Sequence, residues 1–280
     1  MSRSHRANLA EQTLRIVEDR GYLNPAGIRV DLGEAIASCL AGTRLYAAEE
    51  IARLREEQRR ARNTDRVATM HVVNETTLAG LAALWEEGDA PIAVLNFASA
   101  KNPGGGFLGG SQAQEESLAR CSALYASLTR EEAFYRQHRA SSSLLYSDAM
   151  ILSPNCPVFR DDEGALLEMP RIAGFITSAA PNAGAIVTNR PDELALIEET
   201  LVDRAEGVLA LAAAHGYRRL VLGAWGCGVF RNDPSMVAGV FARHLMHGGW
   251  AKRFDRIRFS VLDSAKDART FAAFESALSH

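Results

Sequence analysis

Two adjacent acids near a glycine-rich run are the residues of this sequence best suited to chemistry. Gly104-Gly105-Gly106 is followed, after seven residues, by Gln114-Glu115-Glu116. Three glycines without Cβ atoms can turn backbone N–H groups onto an anion at close range. The two glutamates could move protons. Acids in the first turn of a helix are also favoured by its dipole, so they could be mere stabilisers. The run has no G-K-[ST], so it is not a Walker A loop. Nor is it a dinucleotide fingerprint, which needs G-x-G-x-x-G and a later acidic ribose ligand. A second glycine-rich run, Gly223 to Pro234, contains Gly226-Cys227-Gly228-Val229-Phe230. Together the two runs could cradle a diphosphate with neutral amides. Asn74-Glu75-Thr76-Thr77 could hydrogen-bond a base or ribose, or simply cap a helix.

Strand-like runs precede each of these segments. From residue 66 the sequence predicts strands at Val67–Val73, Ile92–Phe97, Ala149–Leu152, Ile172–Ser178, Arg219–Leu222 and Arg256–Leu262. Between and after them it predicts helices at Thr77–Glu87, Gln114–Ser127, Pro191–His215, Pro234–His247 and Ala268–Leu278. This alternation implies an α/β fold with a largely parallel or mixed sheet between helices, and ligands at the carboxyl ends of the strands. Ser111 and Gln114 have capping-box spacing, placing a helix start near Ser111 or Ala113. Asp233 and Pro234 suit an N-cap and a first helical position. Residues 1–65 are expected to form a helical extension on a catalytic domain of residues 66–280. It has helices at His5–Arg20 and Ala47–Arg62 and a short strand at Ile28–Leu32.

The 280 residues, 47% hydrophobic and 23% charged, suffice for a substantial core and exclude global disorder. With 31 basic and 34 acidic residues, no global field would hold bare DNA or RNA, so direct nucleic-acid binding is not expected. There is no membrane-spanning apolar run and no secretory h-region, which implies a cytoplasmic protein. Cys39, Cys121, Cys156 and Cys227 form no CxxC pair or zinc spacing and read as buried hydrophobes. His244 and His247 lack a third ligand and read as structural or surface residues. Asp161-Asp162-Glu163 reads as a turn.

The Gly104–Gly106 and Gln114–Glu116 pattern resembles the signature of poly(ADP-ribose) glycohydrolases. Asn74–Thr77, Ser153–Asp162, Ala180–Asn182 and Gly223–Pro234 look like their compact bacterial branch. The resemblance runs from about residue 20 to the end. It implies a macrodomain-like mixed sheet with an added N-terminal helical region. It also implies hydrolysis of ribose–ribose O-glycosidic bonds in poly(ADP-ribose), releasing ADP-ribose by exo action. By the motif, Glu116 matches the catalytic glutamate and Glu115 the neighbour that holds ribose hydroxyls. Gly104, Gly105 and Gly106, with Gly226, Cys227, Gly228 and Val229, match the diphosphate cradle, and Phe230 an aromatic cap. Asn74, Glu75, Thr76, Thr77, Asn96, Asn102 and Gln114 fall to substrate binding. ADP-ribosylated proteins would carry the substrate, no cofactor or metal is implied, and the setting would be ADP-ribosylation reversal after DNA damage.

Acetal cleavage needs a proton on the leaving oxygen and support for an oxocarbenium-like carbon. Glutamates adjacent on a helix lie roughly 100° apart and cannot flank one sugar ring. One glutamate, Glu116, would therefore make both proton transfers, with the substrate diphosphate steadying the cation. It must carry a proton near pH 7, which the Glu115 charge and burial under ligand would favour. A non-catalytic ADP-ribose reader on the same fold is the alternative, though it needs no acid. A magnesium-dependent nucleotide phosphohydrolase is a second, though Asp161–Glu163 would be its only carboxylate cluster. A β-branched residue at Gly105 is expected to weaken ADP-ribose binding in a folded protein, which calorimetry beside a thermal melt checks.

Overall fold

The architecture comes from a computed structural model describing residues 1–61 and 65–278. In chain order the N-terminal part comprises α1 (Arg3–Glu18), β1 (Gly21–Leu23), β2 (Arg29–Asp31), α2 (Gly33–Gly42), β3 (Arg44–Tyr46) and α3 (Ala48–Arg60). Then follow β4 (Thr69–Val73), α4 (Thr77–Glu86), β5 (Ile92–Phe97), α5 (Gln114–Cys121), α6 (Leu124–Leu128) and α7 (Glu132–Ala140). The long hairpin β6 (Met150–Arg160) and β7 (Leu166–Ser178) leads to α8 (Ala183–Asn189) and α9 (Ile197–Ala214). The chain ends with β8 (Arg219–Leu222), α10 (Pro234–Ala242), β9 (Arg256–Ser260) and α11 (Arg269–Leu278).

Seven strands form one mixed sheet in the order β3-β6-β7-β5-β8-β9-β4. β7, β5, β8, β9 and β4 run parallel, while β6 is antiparallel to both β3 and β7. β5 is central, and its first five residues are all buried, as a strand covered on both faces requires. One face packs on α3, α9, α10 and α11 through Ile51, Leu201, Leu209, Phe241 and Phe274. The other packs on α2, α4, α5, α6 and α7 through Cys39, Leu81, Leu118, Leu124 and Phe134.

The expected alternation is present, with several local departures. The segment before residue 66 is more than a helical extension, because β3 supplies an edge strand to the main sheet. The expected helix end at Arg62 lies outside the described residues. α2 and α7 carry no side-chain cap, so no capping signature announced them. The helix expected over Gln114–Ser127 breaks at Ser122, whose hydroxyl donates to the Leu118 carbonyl while its backbone bridges to Val158. The stretch expected as one helix from Pro191 opens with a 3-10 turn to Leu196. β6 continues past Leu152 through Pro154-Asn155, where a register shift and Asn155 at φ +51° absorb the proline. The starts at Thr77 and Pro234 are as expected, capped by Thr76 and Asp233.

α3 crosses α9 at Gly207, where an added Cβ would stand 2.6 Å from Ile51 Cγ2 and 2.9 Å from Met150 Cε. Gly207→Val should therefore destabilise the fold by about 1–3 kcal/mol through overpacking. A lowered melting temperature checks this, and an unchanged one would show that α3 can move aside.

Candidate active site

A cleft of about 690 Å³ opens at the carboxyl ends of β4, β5, β8 and β9. It gathers most of the residues that the motifs singled out. Glu75, Thr76, Thr77, Asn102, Gly105, Gly106, Gln114, Glu115, Glu116, Gly226, Cys227, Gly228, Val229 and Phe230 line it. Asn74, Asn96 and Gly104 do not. Asn74 is paired at both ends of its amide with the Asp263 backbone, joining the β4 and β9 loops. Asn96 and Gly104 are buried behind the glutamates.

Gln114 seats the acids. Its Oε1 accepts from the Phe97 N–H at 2.9 Å, and its Nε2 donates to the Leu95 carbonyl at 2.8 Å. The expected Ser111–Gln114 capping box is therefore absent: α5 starts after Ala113, and the glutamine side chain is bound to β5 instead. Glu116 is half-buried, and its Oε1 accepts the Gly106 N–H at 3.0 Å. Its Oε2 meets no donor among the described residues. Gly105 sits at φ +58°, where a Cβ would lie 2.4 Å from that Oε1. The missing side chain thus makes room for the Glu116 carboxylate itself.

This changes the reading of the three glycines. The Gly105 N–H donates to the Asn102 carbonyl, the Gly106 N–H to Glu116, and the Gly104 amide supports Glu115. All three amides serve the protein's own groups, so the loop cradles carboxylates. In the second loop the amides of Gly228, Val229 and Phe230 meet no acceptor among the described residues. That loop holds its turn through Cys227 N–H to the Ala224 carbonyl and Asn232 N–H to the Gly226 carbonyl. Consecutive free amides of this kind form an anion nest.

Glu115 is 2% exposed. Its Oε1 accepts from Asn96 Nδ2 at 3.1 Å and its Oε2 from the Ser99 N–H at 2.7 Å. Asn96 also donates to Thr177 Oγ1 of the neighbouring strand. Burial, with help from the Glu116 charge, pushes the Glu115 carboxyl up to about 8 against those donors. Burial also pushes the Cys227 thiol up to about 12, so it is no thiolate at neutral pH. Phe230 stands 5.9 Å, ring centre to ring centre, from Tyr146, which leans on His138 at 5.5 Å.

Several wall residues carried no sequence signal. Ser99 holds Glu115 through its backbone, and Thr177 acts from β7 through the buried Asn96. Asp162, within the expected turn, accepts from Thr76 Oγ1 at 2.6 Å and lines the cleft. Arg258 and Ser260 of β9 bind the Glu75 carboxylate. Glu75 therefore reaches the cleft already paired. Among the described residues no group of three or more His, Cys, Asp or Glu side chains could hold a metal ion. No described helix is long and apolar enough to cross a membrane.

Fold and site together define a macrodomain-like α/β hydrolase built around a glutamate pair. The family model "Microbial-type PARG, catalytic domain" matches residues 10–161. The crystal structure of poly(ADP-ribose) glycohydrolase from Thermomonospora curvata is 47% identical. It aligns over 98% of this chain and 100% of its own, with a TM-score of 0.93. The same protein bound to the inhibitor ADP-HPD aligns over 98% and 99% at 46% identity, TM-score 0.90. The Deinococcus radiodurans enzyme in complex with ADP-ribose is 47% identical over 89% of this chain and 98% of its own, TM-score 0.82. No curated protein matches the sequence. The chain belongs to the microbial-type poly(ADP-ribose) glycohydrolase family. The activity that goes with this membership is hydrolysis of poly(ADP-ribose).

Two outcomes follow from the geometry. Even alanine at Gly105 should collide with Glu116, so turnover should fall further than ADP-ribose affinity; equal losses would return the loop to phosphate binding. The Glu115 carboxyl binds its proton more tightly in the folded chain, so its contribution is full below about pH 4.5 and is lost as pH rises through about 8. Melting temperatures should therefore show the Glu115→Gln variant gaining on the wild type across that window. A constant difference would mean that Glu115 titrates normally.

Proposed function

We propose that this chain cleaves poly(ADP-ribose) with Glu116 as general acid and then general base, without a metal ion. The observation that carries the reading is the disposition of Glu116. One oxygen is held on the Gly106 amide and the other meets no donor among the described residues, in a cleft that Gly228, Val229 and Phe230 also line. A glutamate fixed by one oxygen keeps the second available for proton transfer in a constant direction.

The terminal ADP-ribose would lie with its diphosphate on the Gly226–Phe230 amides and Phe230 against its exposed face. Glu75, Thr76 and Thr77 would meet the adenosine end, and Asn102 the far ribose. Gln114 and Asn96 serve binding indirectly, by holding the glutamates. Asn74 does so by holding the β9 loop. Glu115, at the cleft floor, would orient the ribose hydroxyls. Glu116 protonates the leaving ribose oxygen as the C–O bond breaks. The bound diphosphate steadies the oxocarbenium-like carbon, and Glu116 then takes a proton from the attacking water. Neutral amides and one carboxyl group supply every contact this sequence of steps requires, which supports metal independence.

The proposal includes exo action, resting on the likeness to the compact bacterial branch, and proteins bearing the polymer as natural carriers. The ADP-ribose complex of the Deinococcus relative supports the choice of ligand. A reader without catalysis would have no use for a glutamate whose free oxygen faces the ligand.

Glu116→Gln should lower turnover by on the order of 10²–10⁴ while ADP-ribose still binds. Turnover in EDTA should match that without it, and early products should be single ADP-ribose units. A variant retaining more than about a tenth of wild-type turnover would remove Glu116 from this role, since that lies outside the range for general acid–base loss.

A further inference from the structure

Beside the cleft, the loop after β5 carries Lys101, one residue before the cleft-lining Asn102. Helix α7 lies against this loop. His138 Nδ1 stands 3.2 Å from the Ala100 carbonyl, and Arg139 Nη1 donates to the Lys101 carbonyl at 2.6 Å. Arg136 and Arg139 are both exposed and one helical turn apart, so they share a face of α7. Glu132 is the acid on that face, and it pairs with Arg139. Among the described residues the Lys101 ammonium and the Arg136 guanidinium have no acidic partner. In a chain with more acid than base, this is a local concentration of positive charge.

Its position matters for a polymer. With the terminal unit in the cleft, the rest of the strand leaves past the bond beside Glu116. Gly105, the residue against Glu116, lies four positions after Lys101, so their Cα atoms are at most about 14 Å apart. The departing strand brings a dianionic diphosphate with every unit. The cleft's own cradle is made of neutral amides, whereas Lys101, next to the cleft-lining Asn102, and the arginines of the α7 helix against its loop are charged, Arg139 sharing its charge with Glu132.

We propose that Lys101, Arg136 and Arg139 form an outer subsite for the diphosphate of the ADP-ribose unit next to the one being released. This rests on the function proposed above. The subsite holds the polymer and not the monomer, so the two ligands respond differently to salt. Surface charges are screened by ions, while amide contacts depend on geometry.

The test is the double variant Lys101→Gln, Arg136→Gln, with Arg139 kept because it holds the loop. Binding of long poly(ADP-ribose) is titrated in the Glu116→Gln background at several salt concentrations. ADP-ribose affinity is measured by calorimetry, and kcat in the catalytically intact protein. The expected result is polymer binding weakened severalfold at low salt. The slope of log affinity against log salt should be shallower by about 1.4, or about 0.7 for each of two phosphate contacts. ADP-ribose affinity and kcat should not change. An unchanged polymer affinity and slope would overturn the subsite. So would single-stranded DNA of equal length competing as well as the polymer, since the rim would then be a general polyanion surface. Absence of turnover in the wild type would count against the proposed function and leave the binding comparison readable.

Discussion

The contact between the Glu116 carboxylate and the backbone of Gly105-Gly106 is the constraint on which the rest of the site depends. It brings a carboxylate oxygen to a place that a side-chain carbon would otherwise fill. Two sides of the fold bring it about. From one side, Gln114 binds the first turn of α5 to the end of β5. From the other, α1 grips the outer part of the glycine loop, with Arg3 and Arg6 donating to the carbonyls of Gly109 and Gly110. Arg120 of α5 reaches back to the Ser111 carbonyl and closes the arrangement. A loop rich in glycine would otherwise sample many backbone states, and these bonds restrict it to one.

The two glutamates are adjacent in sequence and opposite in circumstance. Glu115 is covered, with both oxygens already engaged by Asn96 and Ser99, and it favours its protonated form. Glu116 lines the cleft with one oxygen engaged and the other without a donor among the described residues. A shared helix turn therefore produces one fully bonded carboxyl group and one with an oxygen left over. The Asn96 Oδ1 atom is buried without a donor, although Nδ2 bonds both Glu115 and Thr177. Rotation of that amide would turn Oδ1 toward Glu115, where it could accept a hydrogen bond from the protonated form of that carboxyl group.

Much of this was legible in the sequence, and the reasons are specific. The glycine run, the glutamate pair and Asp233-Pro234 are local signals, fixed by backbone freedom and helix-end chemistry. The alternation of strands and helices gave the mixed sheet, with its parallel section around β5. The long-range partners were not legible. Ser99 holds Glu115 with a backbone N–H, which any residue would supply. Thr177 and Arg258 meet the site because β7 and β9 lie where they do in the sheet. β3 is three residues long, too short for periodicity to reveal. The glycine amides were read as free because nothing local shows that the Asn102 carbonyl and the later glutamates would occupy them.

The pairing of β4 with β9 also governs when the site can exist. Thr69 and Arg256 are register partners separated by 187 residues, and Glu75 takes its ion pair from Arg258 and a hydrogen bond from Ser260. During synthesis the β4 edge must therefore wait, unpaired, until nearly the whole chain has left the ribosome. Contacts this distant in sequence close late, since the loop entropy must be lost before they form. Nascent chains stalled before residue 256 would hold the glutamates and the glycine loop but lack one wall of the cleft. The walls of the cleft are thus completed in the order of translation, the β9 side last.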